Sequence, residues 1–419
     1  MKTLLKNIEQ IVTVETNGQN YKRGNEMNDI SPVIDHSILI ENDLIKDIIP
    51  NSKIHKTNSD QIIDLKGKIV LPGLIDCHTH TVFSGSRSDE FVQKLQGVSY
   101  EEIAQKGGGI NKTVEAVRQS SFDELYLLSK SRVKKFIEQG VTSIEIKSGY
   151  GLSFYDEIKM LQVINKLNSL GINIMPTFLG AHTFPKEYQN DREKYIQILS
   201  DEMMPYISKN KLALFCDAFC EKTAFSPEET LAVLGKAKHY GFLTKLHTDQ
   251  FNSIGGIDIA IKSRTNSVDH LEVISENDIY KIAKTDITAV LLPGVSFTLN
   301  YDFAPARKII DSGAIVSLAT DFNPGSSPIQ NVSLIMSLAA MKMKMTPEEI
   351  ISAFTINAAK ALAISNYTGS IEINKSADFS IFDCNHYNEI IYNIGTNINC
   401  MTIAKGKIVY QKFDGEKND

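Results

Sequence analysis

Through the middle of the chain, short runs of apolar residues alternate with longer stretches whose apolar positions recur every three to four residues. The apolar runs fall at 69–77, 142–147, 172–179, 213–219, 242–247, 267–271, 287–292 and 315–321. Between most of them lie amphipathic stretches, among them 153–170, 226–240 and 303–313. Near-continuous apolar strands alternating with amphipathic helices indicate a parallel sheet covered on its faces. Eight such runs predict an α/β fold, a (β/α)8 TIM-like barrel, with a doubly wound open sheet as the alternative.

The two ends of the chain follow a different pattern. Short strand-like pieces separated by turn residues occur at 37–40, 46–49 and 62–68, and again at 377–382 and 401–410. Neither end supplies a core of its own, so both termini are expected to build one small β-sandwich domain. The expected division is 1–66 for the N-terminal part of the sandwich, 67–365 for the barrel, and 366–419 for the C-terminal part.

Composition narrows the function classes. The chain has 419 residues, 42% hydrophobic and 22% charged, which is ordinary for a globular protein with a large core. A net charge of −6 argues against nucleic acid or an anionic membrane as the partner. No run approaches the roughly 18 uncharged apolar residues of a membrane span, and early lysines interrupt any signal-peptide core. Five scattered cysteines fit unpaired thiols in a cytoplasmic protein. Cys77, Cys216 and Cys220 read as packing residues.

In a (β/α)8 barrel the chemistry sits at the C-terminal ends of the strands. Those ends carry Asp76, His78 and His80; Glu145, Lys147 and Tyr150; His182; Asp217 and Glu221; His247, Asp249 and Gln250; Asp269 and His270; and Asp321 with Asn323. His78 and His80 are two residues apart and share a face if the strand continues. A His-x-His pair with later strand-end histidines and an aspartate is a nitrogen and oxygen donor set suited to zinc or a similar ion. Such an ion would lower the pKa of a bound water and make a hydroxide nucleophile.

The segment Pro72-Gly73-Leu74-Ile75-Asp76-Cys77-His78-Thr79-His80 resembles the opening metal motif of the amidohydrolase superfamily. Other segments resemble the branch of that superfamily that opens a cyclic amide in histidine degradation. They include Ser86-Arg87-Ser88-Asp89-Glu90-Phe91, Gly107-Gly108-Gly109-Ile110, Lys147-Ser148-Gly149-Tyr150-Gly151, Asp269-His270-Leu271-Glu272 and Thr320-Asp321-Phe322-Asn323-Pro324-Gly325-Ser326-Ser327. The resemblance spans nearly the whole chain. It implies a metal-dependent (β/α)8 barrel with a β-sandwich from both termini. The implied reaction is hydrolysis of 4-imidazolone-5-propanoate to N-formimidoyl-L-glutamate. The implied ligands are His78, His80, His247 and Asp321, holding one divalent or trivalent ion per subunit, zinc first and Fe(3+) second. A homodimer is implied as well.

The residues suit that reaction. Arg87 offers a two-pronged donor for a substrate carboxylate, and Tyr100 and Tyr150 add hydroxyls. His182 is expected to donate to the ring carbonyl or the developing oxyanion. Asn323 and the backbone at Gly325 and Ser326 are expected to hold the polar edge of the ring. Gln250 cannot take a proton, so it is assigned to substrate hydrogen bonding. Proton transfer then falls to His270 and Asp321. Lys147 ends the second strand rather than the fourth, where a metal-bridging carbamylated lysine would stand, so a one-metal site is expected. Two competing readings remain: an aminohydrolase of a purine or pyrimidine-type heterocycle, for which Arg87 has no use, and a non-enzymatic scaffold with structural histidines.

Overall fold

A computed structural model of the chain describes residues 1–98, 102 and 108–412. Its centre is a sheet of eight strands paired in sequence order: Leu74–Asp76, Val141–Lys147, Asn173–Ala181, Phe215–Cys220, Leu243–Thr248, Ser267–His270, Thr288–Leu291 and Ile315–Leu318. Every neighbouring pair is parallel. The residues just past the first and eighth strands meet: Thr79 bridges Phe322 in parallel, His80 N–H donates to Phe322 O at 2.9 Å, and Asp321 N–H donates to His78 O at 3.0 Å. The sheet is therefore closed into the (β/α)8 barrel that the alternation predicts. The open-sheet alternative fails because its two edges find each other.

The outer helices start where the sequence supplies caps. Ser153 accepts from Asp156 N–H at the head of Phe154–Lys166. Ser226 and Glu229 form a reciprocal capping box at the head of Pro227–His239, with Pro227 in the first turn.

The apolar run at 69–77 is two strands, not one. Ile69–Pro72 pairs with Gln10–Val12 and with Phe379–Phe382 in a six-stranded sheet, and Leu74–Asp76 starts the barrel. Gly73 stands at the break. A Cβ there would lie 2.1 Å from Thr142 Oγ1, so only glycine lets the chain pass the second barrel strand this closely. The periodicity hides the division because both pieces are buried on both sides.

The six-stranded sheet faces a four-stranded one, Leu44–Pro50, His36–Glu41, Lys2–Lys6 and Gln61–Asp64. Leu5, Ile38, Ile40, Val70, Phe379 and Ile403 pack between them as a separate core. Both termini contribute, as expected. The segment between the N-terminal strands also reaches the barrel: Asn357 Nδ2 donates to Lys22 O and Val316 O, each at 2.8 Å, and Ser352 Oγ donates to Met27 O at 2.8 Å.

Gly73→Ala is expected to destabilise the protein by about 1–3 kcal/mol through overpacking. Urea unfolding measures this, and adding Thr142→Ala should recover part of the loss.

Candidate metal centre and active site

Barrel closure brings four of the predicted residues to one point. The His78 and His247 rings are 4.5 Å apart, His78 and His80 are 5.4 Å apart, and His80 and His247 are 5.7 Å apart. Asp321 Oδ1 lies 3.4 Å from both His78 Nε2 and His80 Nε2. Donor atoms of His78, His80 and Asp321 all fall within 4.8 Å of one another, as do those of His78, His247 and His270. All five residues are buried. Asp321 takes a left-handed backbone, φ 48°, at the strand exit, a conformation few non-glycine residues adopt.

These atoms fit a cation. His78 Nε2, His247 Nε2 and Asp321 Oδ1 are buried and have no hydrogen-bond partner. A carboxylate oxygen facing bare imidazole nitrogens is unfavourable in a low dielectric unless positive charge lies between them. Three imidazoles and one carboxylate form a donor set for zinc or a similar ion.

The orientation of the ligands comes from beneath. His78 Nδ1–H donates to Asp269 Oδ2 at 2.6 Å, which turns Nε2 to the centre. Asp217 Oδ2 lies 3.0 Å from His247 Nδ1, a close approach without hydrogen-bond geometry. Lys147 Nζ then contacts Asp217 Oδ2 at 2.8 Å and Glu145 Oε1 at 2.9 Å, with Asp269 Oδ2 at 3.8 Å. Lys245 Nζ contacts Glu145 Oε2 at 2.7 Å and Cys77 O at 2.8 Å. All five charged side chains are fully buried. Burial alone would push the Lys147 ammonium down. The carboxylates of Asp217, Glu145 and Asp269 outweigh it and hold the pKa above the usual lysine value. Burial pushes His247 well below the usual histidine value, so its imidazole is neutral and able to ligate.

The surrounding motifs hold the walls of the site. The N–H groups of Gly149, Gly151 and Leu152 converge on the buried Glu157 carboxylate at 2.8–3.1 Å. Gly149 has φ +100°, and a Cβ on Gly151 would lie 2.5 Å from the Asp156 carbonyl carbon. That loop presents Tyr150, whose ring lies 5.7 Å from His80 and 5.5 Å from His182. Glu157 was missed as a site residue because it lies inside a helix, four residues past the Ser153 cap. The acceptor-rich side chain after a Gly-x-Gly turn is the signal that could have found it.

His182 stacks on His80 with ring centroids 5.2 Å apart. Its Nδ1 lies 3.0 Å from Gly149 O. A carbonyl only accepts, so Nδ1 carries the proton. Burial pushes the His182 pKa down to about 3, so the ring is neutral and Nε2 is an acceptor. The expected donation from His182 to an oxyanion therefore meets a ring whose one N–H is already engaged.

Asn323, Gly325 and Ser326 are committed to one another. Asn323 Oδ1 accepts from Gly325 N–H and Ser326 N–H, each at 2.8 Å, and Asn323 Nδ2 donates to Asp321 Oδ2 at 3.0 Å. These bonds build a turn that orients Asp321. Arg87 Nε donates to Glu90 Oε2 at 2.7 Å, and Glu90 Oε1 accepts from Gly109 N–H at 3.1 Å, which ties two motifs together. With Lys94, Asn323 and Gly325, Arg87 lines a cavity of about 370 Å³. Gln250 is buried just past the fifth strand. Glu221 fixes the loop that follows by accepting from Phe251 and Asn252 N–H at 3.0 Å. Tyr100 and Gly107 lie outside the described residues.

Comparison with known proteins places these features in context. The amidohydrolase family model matches residues 69–409. An imidazolonepropionase from Alkaliphilus oremlandii (strain OhILAs) is 43% identical over 413 residues, covering 97% of this chain and 98% of that protein. One from Christiangramia forsetii is 42% identical over 411 residues, covering 98% of this chain and 100% of that protein. Among solved structures, a zinc-bound adenosine deaminase from Xanthomonas campestris superposes with a TM-score of 0.72 at 15% identity, covering 97% of this chain and 92% of that one. At that identity the likeness shows the fold alone.

Removing one member of a buried charge network leaves the others uncompensated. Lys147→Met is expected to cost about 3–5 kcal/mol in urea unfolding. Lys112→Met, which breaks the exposed pair with Asp89, should leave the unfolding midpoint unchanged.

Proposed function

We propose a chemistry for this site from one premise: the chain belongs to the imidazolonepropionases of the amidohydrolase family. It is a hydrolase that opens the ring of 4-imidazolone-5-propanoate to give N-formimidoyl-L-glutamate, a step of histidine degradation. The single observation behind the site assignment is the convergence of His78 Nε2, His247 Nε2 and Asp321 Oδ1, buried and unpartnered, at the closed end of the barrel.

His78, His80, His247 and Asp321 would hold one metal ion, zinc first and ferric iron second on the nitrogen and oxygen donor set. Such an ion supplies a Lewis acid that lowers the pKa of a bound water towards neutrality. The remaining work falls to the side chains. A water oxygen adds to the ring carbonyl carbon, the carbon–nitrogen ring bond breaks, and the departing nitrogen takes a proton. Asp321 accepts the proton of the attacking water and passes it to that nitrogen. His270, whose ring lies 5.5 Å from His247 and 5.9 Å from His78, orients the water. His182 accepts at Nε2 from a ring N–H, and Tyr150 donates beside it. Arg87 binds the propanoate carboxylate, with Tyr100 and Gln250 adding hydrogen bonds. Asn323, Gly325 and Ser326 serve the site by fixing Asp321.

A cytoplasmic setting is supported by Cys77, Cys216, Cys220 and Cys384, all buried without a disulfide. No helix among the described residues is long and apolar enough to cross a membrane. The homodimer is checked by light scattering, which should give twice the mass of the chain.

Freshly prepared 4-imidazolone-5-propanoate should lose its absorbance on incubation with the enzyme, without ammonia release. A purine and a pyrimidine should be left intact, and ammonia from either would favour the aminohydrolase reading. Arg87→Ala should raise KM about 10- to 100-fold with little change in kcat, the worth of one charge-assisted hydrogen bond. An unchanged KM would remove Arg87 as the anchor.

A further inference from the structure

The sixth barrel strand, Ser267–His270, ends in two consecutive non-glycine residues with left-handed backbones, His270 at φ 93° and Leu271 at φ 72°. Such a pair is strained, and neighbouring strands hold it in place. Leu271 N–H donates to Thr248 O at 3.3 Å, and Val273 N–H donates to Asp249 O at 2.9 Å. The turn brings the Glu272 carboxylate back to 3.5 Å from His270 Nδ1.

Glu272 differs from the other buried carboxylates of the site. Glu145 and Asp217 contact lysines, Asp269 receives His78, and Glu157 and Glu221 receive backbone N–H groups. Only 4% of the Glu272 side chain is exposed, yet neither oxygen has a hydrogen-bond partner, and His270 Nδ1 has none either. A buried carboxylate without a donor is costly, and at the C-terminal end of a barrel strand it is a candidate for function. The ring it approaches, His270, reaches the His78 and His247 cluster. Hydrogen bonds of catalytic groups are often long without substrate and tighten in the complex.

We propose that Glu272 is the positioning residue for His270. Its carboxylate accepts Nδ1–H and leaves Nε2 as the bare nitrogen turned to the reacting water. This is the arrangement in which a base is oriented by a third group. The proposal rests on the reading of His270 given above.

The test uses the full-length, zinc-loaded protein with Glu272→Ala and Glu272→Gln. Glu272→Ala should lower kcat about 100-fold or more, with KM and bound zinc unchanged. Added formate should restore about tenfold of that loss, and Glu272→Gln, which keeps an acceptor, should stay within about tenfold of wild type. Spectra of protein labelled with 15N-histidine, with His270 assigned through His270→Gln, should show its Nδ1-protonated form lost in Glu272→Ala. A Glu272→Ala kcat close to wild type, a loss that formate does not repair, or an unchanged His270 tautomer would each overturn the proposal. If wild type fails to open the imidazolone ring, the functional reading falls, and the tautomer measurement still decides the role of Glu272.

Discussion

The site depends on a buried charge balance. Three carboxylates, Glu145, Asp217 and Asp269, and two ammonium groups, Lys147 and Lys245, stand inside the barrel away from water. Each ion would be prohibitive there alone and is tolerable only because it is surrounded by opposite charge and hydrogen bonds. Two of the carboxylates also face the Nδ1 side of His78 and His247. The balance that lets the charges be buried thus fixes the direction in which the imidazoles point. Lys147 bridges Asp217 and Glu145 and so holds both carboxylates in place beneath the histidines.

Around that base, loops are fixed by single carboxylates that collect backbone N–H groups. Glu157 gathers three of them under the turn carrying Tyr150, and Glu221 gathers two beyond Gln250. Glu90 joins Arg87 to Gly109. Loops at the mouth of a barrel need no internal regularity when each is tied to a helix or strand that does not move. The strained backbone at Asp321 and His270 belongs to the same scheme, since both lie where neighbouring strands overdetermine the chain.

Much of this was legible in the sequence. The alternation of apolar runs and amphipathic stretches predicted the barrel, and strand ends brought the candidate histidines and carboxylates to one surface, while the choice of His78, His80, His247 and Asp321 among them came from the resemblance to the amidohydrolase superfamily. The count placing Lys147 on the second strand agrees with its contacts. The break at Gly73 was hidden, because hydrophobic periodicity cannot divide a run buried on both faces. The commitments of His182, Asn323, Gly325 and Ser326 were hidden for another reason. A side chain's partner is set by its neighbours in space, and Gly149 O lies 33 residues from His182. Glu157 and Glu272 were passed over because a carboxylate in a helix or past a strand end looks like a solvated one until its burial is known.

The central claim is a single ion held by nitrogen and oxygen donors above a lysine that stays an ammonium. X-ray absorption at the zinc edge of the zinc-loaded protein, read with the bound-metal stoichiometry, tests it most directly. The account predicts one zinc per chain, with only nitrogen and oxygen neighbours at about 2.0–2.2 Å. Two ions per chain with a metal–metal distance of about 3.5–4 Å would contradict it.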